Sequence, residues 1–225
     1  MRVASLGRLS LCLVVAWVRP SGVQASPQPR PAVVAMAADG AALPQDARLL
    51  ARWVSSHADH QGRPFAIVDK RSAMIVLYAA DGTLVGASAV LLGKTLGDTS
   101  AAGVGRRTQD QALRPEDLTT PAGRFESEPG RNSSGEAVVW IDYGIALAIH
   151  RLRPGASRAL RATRLASDDA RGRRLSAGCV VVPEAFYDAV VAPLLGRHRG
   201  LVYIMPESGG FQQGRLLAAK TRQPA

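Results

Sequence analysis

Arg174-Leu175-Ser176-Ala177-Gly178-Cys179-Val180 is the stretch on which the reading of this chain turns. Its small residues, bracketed by apolar ones, have the composition of a tight turn between buried segments. Cys179 is one of two cysteines in 225 residues; the other, Cys12, lies in the first apolar run. A lone thiol forms no intramolecular disulfide, and a metal site normally draws on several Cys and His ligands. Two readings of Cys179 are left, a buried inert thiol or a nucleophile.

The first residues read as an export signal. Arg2 and Arg8 form a basic n-region, Leu9 to Val18 an apolar core too short to span a bilayer, and Val23-Gln24-Ala25 a small-x-small cleavage site. Residues 1–25 are therefore expected to be a signal peptide, and cleavage after Ala25 removes Cys12. Cys12 lies inside the apolar core after Leu11, not at its end after a small residue, which speaks against a lipid anchor. Residues 26–43, rich in Pro and Ala, read as a flexible leader, 44–207 as one domain and 208–225 as a tail. After signal cleavage no stable membrane span is expected, and the location is periplasmic or secreted. Loss of three arginines with the signal lowers the net charge from +10 to +7, still basic enough to be drawn to polyanions. Nucleic acid is not the expected partner, because aromatics are only 5% of residues and no nucleic-acid motif is present.

Along the domain the pattern is mainly β. Leu49, Leu50, Trp53 and Val54 recur at helical spacing between Pro44 and Ser56, predicting a short amphipathic helix. Strand signals follow at Phe65 to Val68, Ala73 to Tyr78 and Leu84 to Leu92, with Asp81-Gly82 as a tight turn, which predicts a meander. Gly93 to Thr119 reads as a long loop, ending at Thr120-Pro121-Ala122-Gly123. Further strands are expected at Arg124 to Ser127, Ala137 to Ile141, Ile145 to His150 and Leu201 to Met205, with a helix from Pro183 to about Ala192. Gly86 to Thr95 ends in Gly-Lys-Thr, but six residues separate its glycines where a phosphate-binding loop has four.

Of the four histidines, His57 and His60 read as a solvated helix end and His198 as a solvated loop. His150 terminates the apolar run Ile145-Ala146-Leu147-Ala148-Ile149, so its imidazole emerges from the core at a sheet edge. A core histidine is one reading; a partner that activates the thiol is the other.

Ile149-His150 followed by Ser176-Ala177-Gly178-Cys179-Val180, with Thr120-Pro121-Ala122-Gly123 upstream and Val202-Tyr203-Ile204-Met205-Pro206 downstream, resembles the catalytic domain of L,D-transpeptidases of the YkuD-like family, over roughly Pro64 to Glu207. The resemblance implies a mainly β, sandwich-like domain with a short helix after the cysteine. It also implies Cys179 as nucleophile, His150 as base oriented by the carbonyl of Arg151, and no cofactor or metal. The substrates it implies are peptidoglycan stem peptides. Cys179, as a thiolate beside protonated His150, would attack the diaminopimelate carbonyl of a tetrapeptide stem and pass the acyl group to an amine. Gly178 would help hold the oxyanion, and Ser176 would support the loop.

Two positions depart from the family pattern, which reads Ser/Thr-His-Gly-Cys, a hydrophobic residue and then Asn or Arg. Here Ala177 replaces the histidine and Val181 the polar residue, and an insertion lengthens the interval between His150 and Cys179. The chain reads as a divergent subgroup. Arg151 to Arg174 contains eight arginines against Asp168 and Asp169, either a solvated face or a source of carboxylate-binding groups, with Arg174 nearest in sequence to the nucleophile. The alternatives to a transpeptidase are a weakened peptidoglycan-binding relative, an L,D-carboxypeptidase with water as acceptor, and an unrelated basic envelope protein with an inert thiol. Oligomeric state is not readable.

Overall fold

The computed structural model describes residues 43–209. The expected signal peptide, and all but the inner edges of the expected leader and tail, lie outside the described residues. No helix among the described residues is long and apolar enough to cross a membrane.

The chain is mainly β, built on one large sheet with short helices. The meander is β1 (Phe65–Asp69), β2 (Met74–Tyr78) and β3 (Leu84–Ala89), paired antiparallel in sequence order. The sheet continues through β10 (Gly200–Ile204), which lies parallel to β1, then β5 (Gly123–Arg131), β6 (Ala137–Asp142), β7 (Leu147–Arg151) and β9 (Val180–Val182). Two short strands, β4 (Leu92–Gly93) and β8 (Arg174–Ser176), pair beside it.

Helix α1 (Gln45–Ser56) decides which strands are buried on both faces. Its inner stripe is Ala47, Leu50, Ala51 and Val54, at the i, i+3, i+4, i+7 spacing of one helix face. It packs on Phe65, Ile67, Val76, Leu201 and Tyr203, while the alternate residues Ala66, Val68, Ile75, Leu77, Val202 and Ile204 point into the main core. The strands under α1 therefore read as unbroken apolar runs. Leu49, expected on the buried stripe, is 41% exposed because the inner face centres one residue further round.

The sheet bends back on itself. Leu91, just past β3, exchanges two backbone hydrogen bonds with Val181 of β9, at 2.8 and 2.9 Å. Ile75 and Leu77 from one end of the sheet share a core with Ile149, Val180 and Val182 from the other. The sandwich thus forms from a single sheet closing over its own apolar face.

Several local expectations are corrected. The supposed loop from Gly93 to Thr119 contains α2 (Val104–Gln109) and a 3-10 turn (Pro115–Asp117), clasped by a bidentate ion pair from Arg107 to Asp117 that holds the carboxyl down at about 2. The arginine-rich interval forms α3 (Arg158–Ala166), whose one buried residue, Leu165, packs on Leu91, Leu152 and Val181. β7 begins at Leu147 because Ala146 is left-handed, with φ 56°. The helix after Pro183 is built of α4 (Glu184–Phe186), a π turn (Tyr187–Val191) and α5 (Ala192–Leu194). His57 is exposed, but His60 is only 8% exposed and stacks on Phe65, so it is a core residue and not a solvated helix end.

Candidate active site

β7 and β9 run parallel, with Ile149 beside Val180 and His150 beside Val181. Side chains alternate along each strand, and residues in register share a face. Ile149, Val180 and Val182 therefore turn into the main core, and His150 turns to the opposite face. Cys179, one residue before β9, joins His150 there: both line one cleft of ≈ 580 Å³, with Ala146, Ala148, Trp140, Tyr143, Arg131 and Arg153.

His150 is 8% exposed, and its Nδ1 lies 2.8 Å from the carbonyl oxygen of Arg151. A carbonyl only accepts, so this contact assigns the ring proton to Nδ1 and leaves Nε2 as a proton acceptor. Burial, reinforced by the charge of Arg153, lowers the imidazole pKa to about 4. The Cys179 thiol donates to the carbonyl of Ala146 at 3.4 Å, and burial pushes its pKa up. The resting pair at neutral pH is thus thiol and neutral imidazole. Desolvation in the cleft favours the uncharged forms over the thiolate and imidazolium that the resemblance implies.

The loop before the nucleophile is held by side chains. Ser176 Oγ donates to the Cys179 carbonyl at 2.6 Å and accepts from the Gly178 N–H at 3.1 Å. Gly178 has φ +120°, and a Cβ there would lie 2.9 Å from the carbonyl oxygen of Thr119, so glycine is required. Because its N–H is engaged by Ser176, Gly178 is not a free oxyanion donor as the sequence suggested. Ser176 is buried and supports the loop.

Arg174 does not belong to the cleft wall. Its guanidinium binds Glu207 at 2.7 and 2.9 Å and the carbonyl of Lys70 at 2.8 Å. This correction follows from β8, whose pairing with β4 directs Arg174 toward the chain after β10. The cationic groups on the wall are instead Arg131 and Arg153, the latter ion-paired with Glu136 at 2.8 Å. Arg153 belongs to the arginine-rich run that the sequence offered as a source of carboxylate-binding groups, whereas Arg131 was unmarked. The exposed Tyr143 and the aromatic ring of Trp140 beside it were equally unmarked by any motif.

The departures from the family pattern acquire places. Ala177 is exposed at the turn and lines a small pocket beside Cys179. Val181 is fully buried under Leu91, Leu152 and Leu165. α3 brings Leu165 over Val181.

No family model matches the chain, and no curated protein matches it. Among solved structures it is similar to the helical cell shape determining protein Pgp2 from Campylobacter jejuni, at 16% identity over 67% of this chain and 50% of that one, with a TM-score of 0.44. It is also similar to the catalytic domain of an L,D-transpeptidase from E. faecium, at 17% identity over 64% of this chain and 98% of that one, TM-score 0.34. An L,D-transpeptidase from Mycobacterium tuberculosis H37Rv is 19% identical over 63% of this chain and 57% of that one, TM-score 0.36. The chain spans half the length of the Pgp2 structure.

Proposed function

We propose that this protein is an exported acyltransferase of the L,D-transpeptidase type, with 44–207 as its catalytic domain, acting on peptidoglycan stem peptides. The observation that carries the reading is that His150, on β7, and Cys179, one residue before the adjacent parallel strand β9, line one cleft, with His150 Nε2 left as acceptor. The motifs around both residues supply the substrate class.

In this mechanism neutral His150 takes the Cys179 proton on Nε2 as the sulfur attacks the diaminopimelate carbonyl. The S–C bond forms, and the oxyanion of the tetrahedral intermediate is held by backbone N–H groups of the turn. His150 then gives its proton to the departing amine of D-Ala, leaving a thioester. A neighbouring amine attacks the thioester, loses its proton to His150, and expels the thiolate, which is reprotonated. Arg153 and Arg131 take over the role proposed for Arg174, binding substrate carboxylates on the cleft wall. The signal peptide at 1–25 would deliver the protein to the periplasm or beyond the cell.

A weakened relative is the second reading, favoured by Ala177 and by the raised thiol pKa. Purified mature protein incubated with disaccharide-tetrapeptide should release D-Ala and form cross-linked dimer, read by chromatography and mass spectrometry, and Cys179→Ser should do neither. D-Ala without dimer means a carboxypeptidase. Neither product, with a reactive thiol, means a binding protein.

A further inference from the structure

Thr120 is fully buried, far in sequence from Cys179, and its hydroxyl is bonded to two backbone groups. The N–H of Gly93 donates to Thr120 Oγ1 at 2.9 Å, and Oγ1 lies 2.7 Å from the carbonyl oxygen of Gly178. An amide N–H only donates and a carbonyl only accepts, so the single hydroxyl proton of Thr120 is committed to Gly178. The carbonyl of Thr120 itself accepts from the fully buried ammonium of Lys70 at 2.9 Å, which also binds Asp98 at 2.7 Å and the Gly97 carbonyl at 2.6 Å. Gly93 permits this approach because a Cβ there would sit 2.2 Å from the Leu118 carbonyl oxygen. Lys70, Thr120 and Gly93 thus form a fixed anchor behind the turn.

The bond from Thr120 fixes more than a carbonyl. The Gly178 C=O and the Cys179 N–H belong to one peptide unit, and the described residues contain no cis peptide bond. In a trans unit the two groups point in opposite directions. Holding the carbonyl against Thr120 therefore points the Cys179 N–H away from Thr120. Ser176 already occupies the Gly178 N–H and the Cys179 carbonyl, so the peptide unit between residues 178 and 179 is the part of the turn that Thr120 orients.

We infer that Thr120 is a positioning residue that presets the Cys179 amide as oxyanion donor, an inference that rests on the acyl-transfer reading of the site. It acts through the backbone and touches no substrate. Its loss should impair reactions that build charge on a carbonyl oxygen and spare those that do not.

Two reactions of the same thiol separate these effects. 4-Nitrophenyl acetate acylates Cys179 through a tetrahedral oxyanion, whereas iodoacetamide alkylates it by displacement at carbon with no such intermediate. Thr120→Val should lower the maximal acylation rate by at least about tenfold, leave half-saturation unchanged, and change the alkylation rate less than about twofold. Thr120→Ser, which keeps the hydroxyl, should restore acylation. Thr120→Ala is read in the same two assays if the valine variant does not fold by circular dichroism. Equal loss in both reactions, undiminished acylation in the variant, or failure of serine to rescue would overturn the inference. A wild-type thiol that is alkylated but never acylated would overturn the acyl-transfer reading, and the role of Thr120 with it.

Discussion

His150 and Cys179 reach the same cleft by different means. His150 rides on a regular strand: β7 is paired on both sides, its alternate residues are sunk in the core, and a single bond to the neighbouring Arg151 carbonyl orients the ring. Cys179 sits at the end of a turn whose geometry is imposed from elsewhere, by Ser176 nearby and by Thr120 and Gly93 from other parts of the chain. A strand places a side chain through the periodicity of its own sequence, whereas a turn of small residues has little to hold it except hydrogen bonds brought by the fold.

The largest expected effect tests whether the two residues act as a pair. His150→Ala should slow alkylation of Cys179 by iodoacetamide about 100-fold at pH 7, the scale of general-base assistance. With the imidazole at about 4, the wild-type rate should hold a plateau down to about pH 5 and fall below it, while the variant rate climbs steadily with thiolate formation. Superimposable rate-versus-pH curves would dissolve the pair.

The same imidazole has a stability consequence of opposite character to an ion pair. Its pKa is lowered in the fold from 6.5 to about 4, so between those values the unfolded chain binds more protons and stability rises with pH. The contribution is complete above about pH 6.5 and lost as pH falls through 4, about 2–3 kcal/mol over the window. Urea unfolding of wild type and His150→Gln across pH 4 to 7 should show a shallower slope in the variant; an unchanged slope would mean that His150 is not desolvated as described.

Val181 sharpens the contrast from the strand side. It pairs with His150 in register and lies fully buried beneath Leu165 of α3. Val181→Asn should destabilise the fold by about 2–4 kcal/mol, because an amide is buried without a partner. A denaturation midpoint equal to wild type would show that α3 does not seal this position.

Ala146 gives the smallest effect. Its left-handed backbone sits in the turn that presents a carbonyl to the Cys179 thiol, and an L residue there is strained. Ala146→Gly relieves the strain but adds freedom to the unfolded chain, for a net gain of up to about 1 kcal/mol in thermal or chemical denaturation. A loss of stability would place the favoured conformation of this turn elsewhere.

Periodicity was enough to reveal the meander, α1, and the strand that carries His150, since alternation and apolar runs are local consequences of burial. The motif around Cys179 was equally visible, and so was the glycine before it. α2 and α3 were not legible: they are short, polar, and stabilised by contacts such as Arg107 with Asp117 and Leu165 on Val181. Arg174 misled because closeness in sequence to Cys179 says nothing about direction once β8 turns its guanidinium to Glu207.

The sequence by itself determined that this chain is mainly β, that its thiol stands alone in the domain, and that a histidine lies near the end of a buried strand. Only the tertiary structure decided that burial disfavours the charged forms of both groups, that Arg131 and Arg153 line the cleft in place of Arg174, and that Thr120 grips the turn. The reason is physical. Burial patterns are written locally, residue by residue, but desolvation, charge proximity and the direction of a peptide plane depend on which distant segments the closed sheet brings together.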